Sequence, residues 1–200
     1  MEVTAIVLAG GRSLRLGRSK ALEVINGKGL IERVIERLRP VTERVLIVTS
    51  QEQADLLGIP GAEVLTDVYP GKGPLGGIYT GLLASESSHS IAVACDMPFL
   101  NTGLLRHMVE LSPGFDVVVP RRENKVIEPL HAVYSRSCLE IMKMRLENNQ
   151  LSIIPFLSEV RVRYVEEAEC RRFDPELLSF FNINQQSDLE KAIKLAAEIE

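Results

Sequence analysis

The sequence predicts an α/β fold: a doubly wound, Rossmann-like three-layer sandwich around a mostly parallel, mixed sheet. Short apolar runs rich in Val and Ile, which are typical of buried parallel strands, alternate with longer patterns of helical period. After about Arg121 the alternation changes, because a proline interrupts the next strand-like run. We therefore expect a single domain over residues 1–200, with a structural elaboration in its second part.

Five strands and three helices are predicted before residue 121. The helix Leu30–Leu38 has one apolar face with Glu and Arg opposite, and Pro40 follows it. Ile78–Ala84 and Leu104–Leu111 show the same helical pattern. The predicted strands are Val3–Leu8, Val45–Thr49, Val64–Thr66, Ile91–Ala94 and Val117–Val119.

The next two elements are a strand and a helix. Ile127–Tyr134 has a strand pattern, and Pro129 within it favours an edge or an antiparallel position. Ser137 and Glu140 have the spacing of a capping box, which predicts a helix that runs to Glu147.

The sequence pattern after residue 159 predicts one more strand and a terminal helix. Val160–Val165 alternates charged and apolar residues, which indicates a half-buried strand. Ser187 and Glu190 form a second possible capping box, at the start of a terminal helix. The residues of this helix that we expect to point inward are Leu189, Ile193, Ala196 and Ile199.

Composition narrows the class of protein. The 200 residues are 46% hydrophobic and 25% charged, which is ordinary for a soluble globular protein. The net charge of −4 gives no broad basic surface for nucleic acid. The three cysteines are widely spaced, and neither a signal peptide nor a membrane span is visible. We expect a cytoplasmic protein that binds small molecules rather than nucleic acid or a membrane.

The loop after the first strand predicts an anion site. Gly10 and Gly11 let the backbone bend sharply and bring its N–H groups close to a ligand. Neither a Walker A loop nor the dinucleotide-binding G-x-G-x-x-G spacing occurs there. A polyphosphate ligand is favoured, although an ordinary turn with solvated cations remains an alternative. The basic residues that follow are Arg12, Arg15, Arg18 and Lys20.

Two aspartates follow other predicted strands. Asp67 comes after Val64–Thr66, and Asp96 comes after Ile91–Ala94. Because ligands of open α/β sheets bind at the carboxyl ends of the strands, we expect both near the glycine loop. Asp96 is the candidate ligand for Mg²⁺, which prefers one or two carboxylates plus substrate oxygens. A loop-capping role for Asp96 and a turn role for Asp67 are the alternatives.

The pattern L-A-G-G-x-x-x-R-L-G-x-x-K-A-L over residues 8–22 resembles the signature loop of nucleotidyltransferases. Within that superfamily the chain is similar to the molybdenum cofactor guanylyltransferases. This resemblance implies the fold of the nucleotide-diphospho-sugar transferases. Four more segments carry the same resemblance, in the same order: Asn26–Lys28, Gly73–Gly77, Cys95–Leu100 and Phe181–Asn184.

The resemblance implies transfer of GMP from GTP to molybdopterin, with Mg²⁺ as cofactor and pyrophosphate as the second product. It places Arg15, Lys20 and Asp96 in catalysis, with Asp96 on the metal. It places Asn182 and Asn184, within an elaboration spanning about 121–186, on the acceptor, although ordinary turn residues would have the same spacing. The nucleotide-binding residues that it implies are Leu8, Ala9, Gly10, Gly11, Lys20, Asp67 and Asp96.

Other functions remain as alternatives. A related cytidylyl- or sugar-phosphate nucleotidyltransferase is the nearest, but Gly10 and Met97 resemble the guanylyl-transferring enzymes at the two places where cytidylyl enzymes differ. A non-catalytic nucleotide-binding module would be expected to have lost Asp96 or Lys20, and both are present. A flavodoxin-like redox protein would have no use for the basic loop. Transient contact with proteins that deliver or receive the cofactor is also expected.

Overall fold

The structure, a computed structural model, describes residues 2–10, 23–54 and 58–199, and nine strands lie within these ranges. The strands are β1 (Thr4–Leu8), β2 (Val24–Ile25), β3 (Lys28–Gly29), β4 (Arg44–Thr49), β5 (Glu63–Thr66), β6 (His89–Ala94), β7 (Val117–Arg121), β8 (His131–Ser135) and β9 (Val162–Glu166).

Eight α-helices connect or follow these strands in the described ranges. They are α1 (Leu30–Leu38), α2 (Gln51–Ala54), α3 (Gly73–Ala84), α4 (Thr102–Leu111), α5 (Leu139–Glu147), α6 (Ile153–Phe156), α7 (Glu167–Cys170) and α8 (Gln186–Ile199). None of the helices in the described part of the chain is both long and apolar enough to cross a bilayer.

Seven strands form one sheet in the order β5-β4-β1-β6-β8-β7-β9. Six of them run in the same direction, and β8 alone is antiparallel to its neighbours β6 and β7. The predicted mostly parallel, mixed sheet is therefore confirmed. The other two strands, β2 and β3, form a separate hairpin. Its turn residues Asn26 and Gly27 have φ of 49° and 79°, as a two-residue type I′ turn requires.

Helices cover both faces of the sheet, which confirms the predicted three layers. Ala5 and Val7 of β1 pack with α1 and α4 on one face. Ile6 points to the other face and packs with α3, α5 and α6. Successive residues of a strand point to opposite faces, so a run of consecutive apolar residues in β1 is what a doubly covered strand needs.

An edge or an antiparallel position was predicted for the strand at Ile127–Tyr134. The strand is antiparallel, and it lies inside the sheet instead of at an edge. It begins at His131, so Pro129 lies before it and takes no place in the hydrogen-bonded ladder. The carbonyl of Pro129 instead accepts a hydrogen bond of 2.8 Å from the Tyr134 hydroxyl. The proline therefore marks the turn that precedes the strand, not an edge strand.

Both predicted capping boxes are wrong. Ser137 lies inside a short 3₁₀-helix, and its hydroxyl donates to Asp116 at 2.8 Å instead of capping α5. Ser187 lies inside α8, and the carboxylate of Asp188 accepts from the N–H groups of Asn184 and Gln185, each at 3.0 Å. The hydroxyl of Ser135, not that of Ser137, accepts from a backbone N–H at the start of the 3₁₀-helix, and Asp188 bonds to the N–H groups that directly precede α8.

The inward face of α8 is only partly as predicted. Leu189 and Ala196 are buried in a small core with the β2–β3 hairpin, but Ile193 and Ile199 are 39% and 49% exposed.

Arg33 lies on the charged face predicted for α1, opposite the apolar face. It is buried, and its guanidinium donates to the Ile25 carbonyl at 2.7 Å, which ties the hairpin to the helix.

A fully buried histidine is the first residue of β8. His131 faces Phe180, with ring centroids 5.1 Å apart, and neither ring nitrogen has a hydrogen-bond partner among the described residues. Burial lowers the pKa of His131 to about 4, although the negative charge of Asp174 acts in the opposite direction. The ring is therefore neutral in the native protein at neutral pH.

We expect the free energy of unfolding to fall as the pH is lowered from about 6.5 towards about 4. In this range the unfolded chain binds a proton at His131 and the native protein does not, so acid favours unfolding. The contribution is at most about 3.5 kcal/mol, at roughly 1.4 kcal/mol per pKa unit. Urea unfolding of His131→Phe, which keeps an aromatic ring against Phe180, should show a smaller pH slope than the original protein. Identical slopes would contradict the assignment.

Candidate functional site

A cleft of about 350 Å³ lies at the carboxyl ends of four neighbouring parallel strands, β5, β4, β1 and β6. Asp67 and Asp96 both border it, as predicted. Its other lining residues are Leu8, Ala9, Gly10, Val48, Thr49, Ser50, Pro70, Gly71, Gly73, Pro74, Gly77, Ala94, Cys95 and Leu130.

The end of β1 forms the floor of this cleft. The Ala9 N–H donates to the Val48 carbonyl at 2.8 Å, and the Leu8 carbonyl accepts from the Cys95 N–H at 3.1 Å. The segment is thus held between β4 and β6 up to the point where the glycine loop begins. A Cβ added at Gly10 would lie 3.7 Å from the Thr49 Cα, which is ordinary van der Waals contact.

Three predicted site residues lie outside the described residues. Gly11, Arg15 and Lys20 fall within residues 11–22, together with the other cations of the loop. Their expected roles in phosphate binding and catalysis remain predictions.

Asp67 is both a turn residue and a cleft residue. Its Oδ1 accepts hydrogen bonds from the Tyr69 N–H at 2.9 Å and from the Thr80 hydroxyl at 2.8 Å. Its own N–H donates to the Thr49 carbonyl at 2.9 Å, which continues the pairing of β5 with β4. The two alternatives considered for Asp67 are therefore compatible, since the turn hydrogen bonds hold the carboxylate at the cleft.

Asp96 lies directly beyond β6, half-buried at the border of the cleft. Its carbonyl accepts a hydrogen bond of 3.0 Å from the Ile183 N–H. This contact brings the predicted pair Asn182 and Asn184 next to Asp96, although neither asparagine lines the cleft itself. Asn182 is half-buried and donates to the Phe180 carbonyl at 3.2 Å, and Asn184 is exposed.

The glycine-rich segment Gly73–Gly77 forms the first turns of α3. A Cβ at Gly77 would lie 2.9 Å from the Leu8 side chain, and one at Gly81 would lie 2.5 Å from Ile6. These glycines therefore allow α3 to pack directly on β1. Gly73 and Gly77 still border the cleft, because the helix begins there.

Sequence reasoning missed two polar residues of the cleft. Thr49 is the last residue of β4, and Ser50 follows that strand as Asp67 follows β5. The rule that ligands bind at the carboxyl ends of strands would have found them. Cys95 packs in the core and also borders the cleft.

A second cleft, of about 310 Å³, lies at the carboxyl ends of β7 and β9. Arg121 forms an ion pair with Glu166, and Arg171 forms one with Glu167 at 2.8 Å. The N–H of Glu123 and the Arg171 guanidinium hold the pKa of Glu167 below its usual value. Since β7 and β9 run parallel to β6, this cleft opens on the same edge of the sheet as Asp96.

Comparison with known proteins decides the family. Residues 5–160 match the family described as "MobA-like NTP transferase domain". The chain belongs to the MobA-like NTP transferases. The predicted resemblance is thereby confirmed, and so is nucleotidyltransferase activity.

Members of the MobA-like family match nearly the whole chain. A protein of Desulfosudis oleivorans named "Molybdenum cofactor guanylyltransferase" is 38% identical over 95% of this chain and 94% of its own length. One of Pelotomaculum thermopropionicum, named "Probable molybdenum cofactor guanylyltransferase", is 39% identical over 98% of this chain and 94% of its own.

Solved structures confirm the nucleotidyltransferase fold. The crystal structure of molybdopterin-guanine dinucleotide biosynthesis protein A from Archaeoglobus fulgidus has a TM-score of 0.86 and 30% identity, and it covers 98% of this chain and 100% of its own. A cytidylyltransferase from Thermus thermophilus, acting on 2-C-methyl-D-erythritol 4-phosphate, has a TM-score of 0.72 at 19% identity, covering 98% of this chain and all of its own. This second likeness concerns the fold alone.

Proposed function

We propose that this MobA-like NTP transferase transfers GMP from GTP to the terminal phosphate of molybdopterin, with or without bound molybdenum. The observation that carries the proposal is the cleft at the carboxyl ends of β5, β4, β1 and β6, which the L-A-G segment and two aspartates border. The names of the full-length relatives support the choice of guanine nucleotide and of acceptor.

The reaction is an in-line displacement at phosphorus. An oxygen of the acceptor phosphate attacks the α-phosphorus of GTP, and the bond from that phosphorus to the bridging oxygen of the β-phosphate breaks. Pyrophosphate leaves with the electron pair of that bond. Because the attacking phosphate is already an anion, no general base is required, and positioning and charge stabilisation account for the catalysis.

Asp96 fits the role of magnesium ligand. Its carboxylate is a hard oxygen donor, half-buried at the border of the cleft, and no group of three or more His, Cys, Asp or Glu side chains in the described ranges forms a ready metal cage. One carboxylate that shares the ion with substrate oxygens and water matches the preference of Mg²⁺. Bound there, the ion would neutralise phosphate charge and bridge the two anionic reactants.

We assign the remaining charge stabilisation to Arg15 and Lys20. Arginine can bind two phosphate oxygens at once, and lysine acts as a compact point charge on a group that moves. Leu8, Ala9, Gly10 and Gly11 would offer backbone groups to the nucleotide.

The acceptor would approach from the opposite side of Asp96. The hydrogen bond from Ile183 to the Asp96 carbonyl supports a role for Asn182 and Asn184 at the acceptor phosphate. The second cleft lies within the elaboration of about 121–186, on the same sheet edge. We propose that it receives the part of the acceptor that is remote from its phosphate.

The first test compares the four NTPs, each with Mg²⁺ and molybdopterin, by pyrophosphate release and by product mass. GTP should be used best in direct competition, since guanine offers two donor groups that cytosine lacks and hydrogen-bonding sites discriminate strongly. Equal or better incorporation of CMP would refute the guanylyl assignment and leave nucleotidyl transfer in place.

The variant Gly10→Ala tests whether the preference for GTP depends on the space beside Gly10. The added Cβ has room against Thr49 but projects beside the cleft, so the protein should fold normally while the purine loses space. We expect kcat/KM for GTP to fall about tenfold relative to that for CTP, the size typical of one methyl group in a pocket. Gly58→Ala is the matched control, because a Cβ there meets nothing within 4 Å. An unchanged preference in Gly10→Ala would contradict the role of Gly10.

Asp96→Ala should abolish transfer and leave the thermal midpoint nearly unchanged. The tie to Ile183 uses the Asp96 backbone carbonyl, which the substitution keeps. Asp96→Asn, which keeps the size and removes the charge, should be equally impaired, and raising the Mg²⁺ concentration should recover part of its activity. Transfer at the original rate by either variant, with Mg²⁺ as the only metal, would show that Asp96 is not the metal ligand.

Asn182→Ala should raise KM for molybdopterin severalfold without changing the affinity for GTP, which calorimetry measures separately. Asn148→Ala, at the end of α5, is the control, since the Asn148 side chain donates to the Met144 carbonyl of its own helix. If Asn182→Ala weakened GTP binding as much as acceptor use, the C-terminal segment would belong to the nucleotide site.

A further inference from the structure

The distance between Asp67 and Asp96 determines which part of the nucleotide Asp67 can contact. It follows β5, and β5 lies three strands away from β6, which precedes Asp96. With strands spaced by about 4.8 Å, the two aspartates lie roughly 14 Å apart along the edge of the sheet. If the reacting phosphate lies at Asp96, Asp67 lies at the distance of the base.

The turn hydrogen bonds of Asp67 use one of its two carboxylate oxygens. Oδ1 accepts from both the Tyr69 N–H at 2.9 Å and the Thr80 hydroxyl at 2.8 Å. Oδ2 has no hydrogen-bond partner within the described ranges, while Asp67 borders the cleft. Two donors on one oxygen fix the orientation of the carboxylate group, which would otherwise rotate.

Thr80 is the side chain that fixes this orientation. It is 4% exposed, lies on α3, and is absent from the lining of the cleft. Its oxygen accepts from the Val68 N–H at 3.1 Å and lies 3.0 Å from the Gly76 carbonyl. The single hydroxyl proton has two acceptors within reach, and the carboxylate is the closer and, being charged, the stronger one. Thr80 therefore ties both the backbone and the side chain of the Asp67 turn to α3.

We propose that Thr80 is a positioning residue for base selection, which holds Asp67 so that its Oδ2 alone accepts a hydrogen bond from a donor of the guanine base. The inference rests on the proposed use of GTP. The Thr80 hydroxyl never touches the nucleotide. Its effect passes through Asp67, because the turn occupies Oδ1 and leaves Oδ2 for the base.

The test is a double-mutant cycle on nucleotide affinity, measured by calorimetry with GTP and with ATP, whose base lacks the N1–H and 2-amino donors. Thr80→Val, which keeps the shape and loses the hydroxyl, should weaken GTP binding about tenfold and change ATP binding less than twofold. Thr80→Ser keeps the hydroxyl and should bind GTP within about twofold of the original protein. In an Asp67→Ala background, Thr80→Val should have no further effect on GTP.

Thermal unfolding of each variant controls for loss of structure, and Thr80→Ala replaces Thr80→Val if the latter does not fold. An equal loss for GTP and ATP, or an additive loss in the Asp67→Ala background, would overturn the inference, since Thr80 would then act on the cleft as a whole. If the original protein binds GTP selectively and Thr80→Val leaves that selectivity intact, the inference fails and the proposed function stands. If the original protein shows no preference for GTP, the proposed function fails first.

Discussion

The packing of strand β1 is the constraint on which the rest of the site depends. β1 pairs along its whole length with β4 on one side and β6 on the other. At its end, the Leu8 carbonyl accepts from the Cys95 N–H and the Ala9 N–H donates to the Val48 carbonyl. On one face α3 lies so close that a Cβ at Gly77 or Gly81 would overlap side chains of β1. The loop that follows Gly10 therefore starts from a rigid point.

The direction of β8 divides the edge of the sheet into two regions. Because β8 is antiparallel, it begins at the edge where its neighbours end, and Leu130 just before it reaches the cleft. On one side of this point lie the four parallel strand ends that border the first cleft, and on the other lie the ends of β7 and β9 with the second. A transferase that joins two substrates needs one binding region for each, with the reacting atoms at the boundary between them. Asp96, which follows β6, lies at the boundary between these two clefts.

The two aspartates of the first cleft have different surroundings, although the residue type is the same. Asp67 has one oxygen fixed by Tyr69 and Thr80, which suits it to accept a hydrogen bond from a neutral donor. Asp96 is tied to the C-terminal segment through its backbone carbonyl, which accepts from the Ile183 N–H. A carboxylate repels the phosphates of a nucleotide. It is therefore favourable only where it bonds to a donor group of the nucleobase, away from the phosphates, or where a cation lies between them. We therefore expect Asp67 at the base and Asp96 at the metal.

The sequence by itself determined the layered α/β architecture, the family and most of the cleft. Alternation of Val- and Ile-rich runs with helical patterns is a local signal, and the carboxyl ends of parallel strands necessarily share one edge. That is why the sequence alone places Gly10, Asp67 and Asp96 together, as the cleft has them. The L-A-G-G loop and the Asn182–Asn184 segment carried the resemblance to the guanylyltransferases, which the full-length relatives confirm.

Only the tertiary structure decided the features that depend on neighbours distant in the chain. Spacing favoured Ser137 and Ser187 as caps, but the hydroxyl of Ser137 bonds to Asp116, 21 residues away, and Asp188 meets the N–H groups at α8. The glycines of Gly73–Gly77 are compatible with a loop or with a close-packed helix, and contact with β1 selects the helix. Burial of His131 and the tie from Thr80 to Asp67 likewise require β8 and α3 to be in place. Local sequence sets periodicity and turn chemistry, but which polar groups find partners is decided by the packing that brings remote strands and helices together.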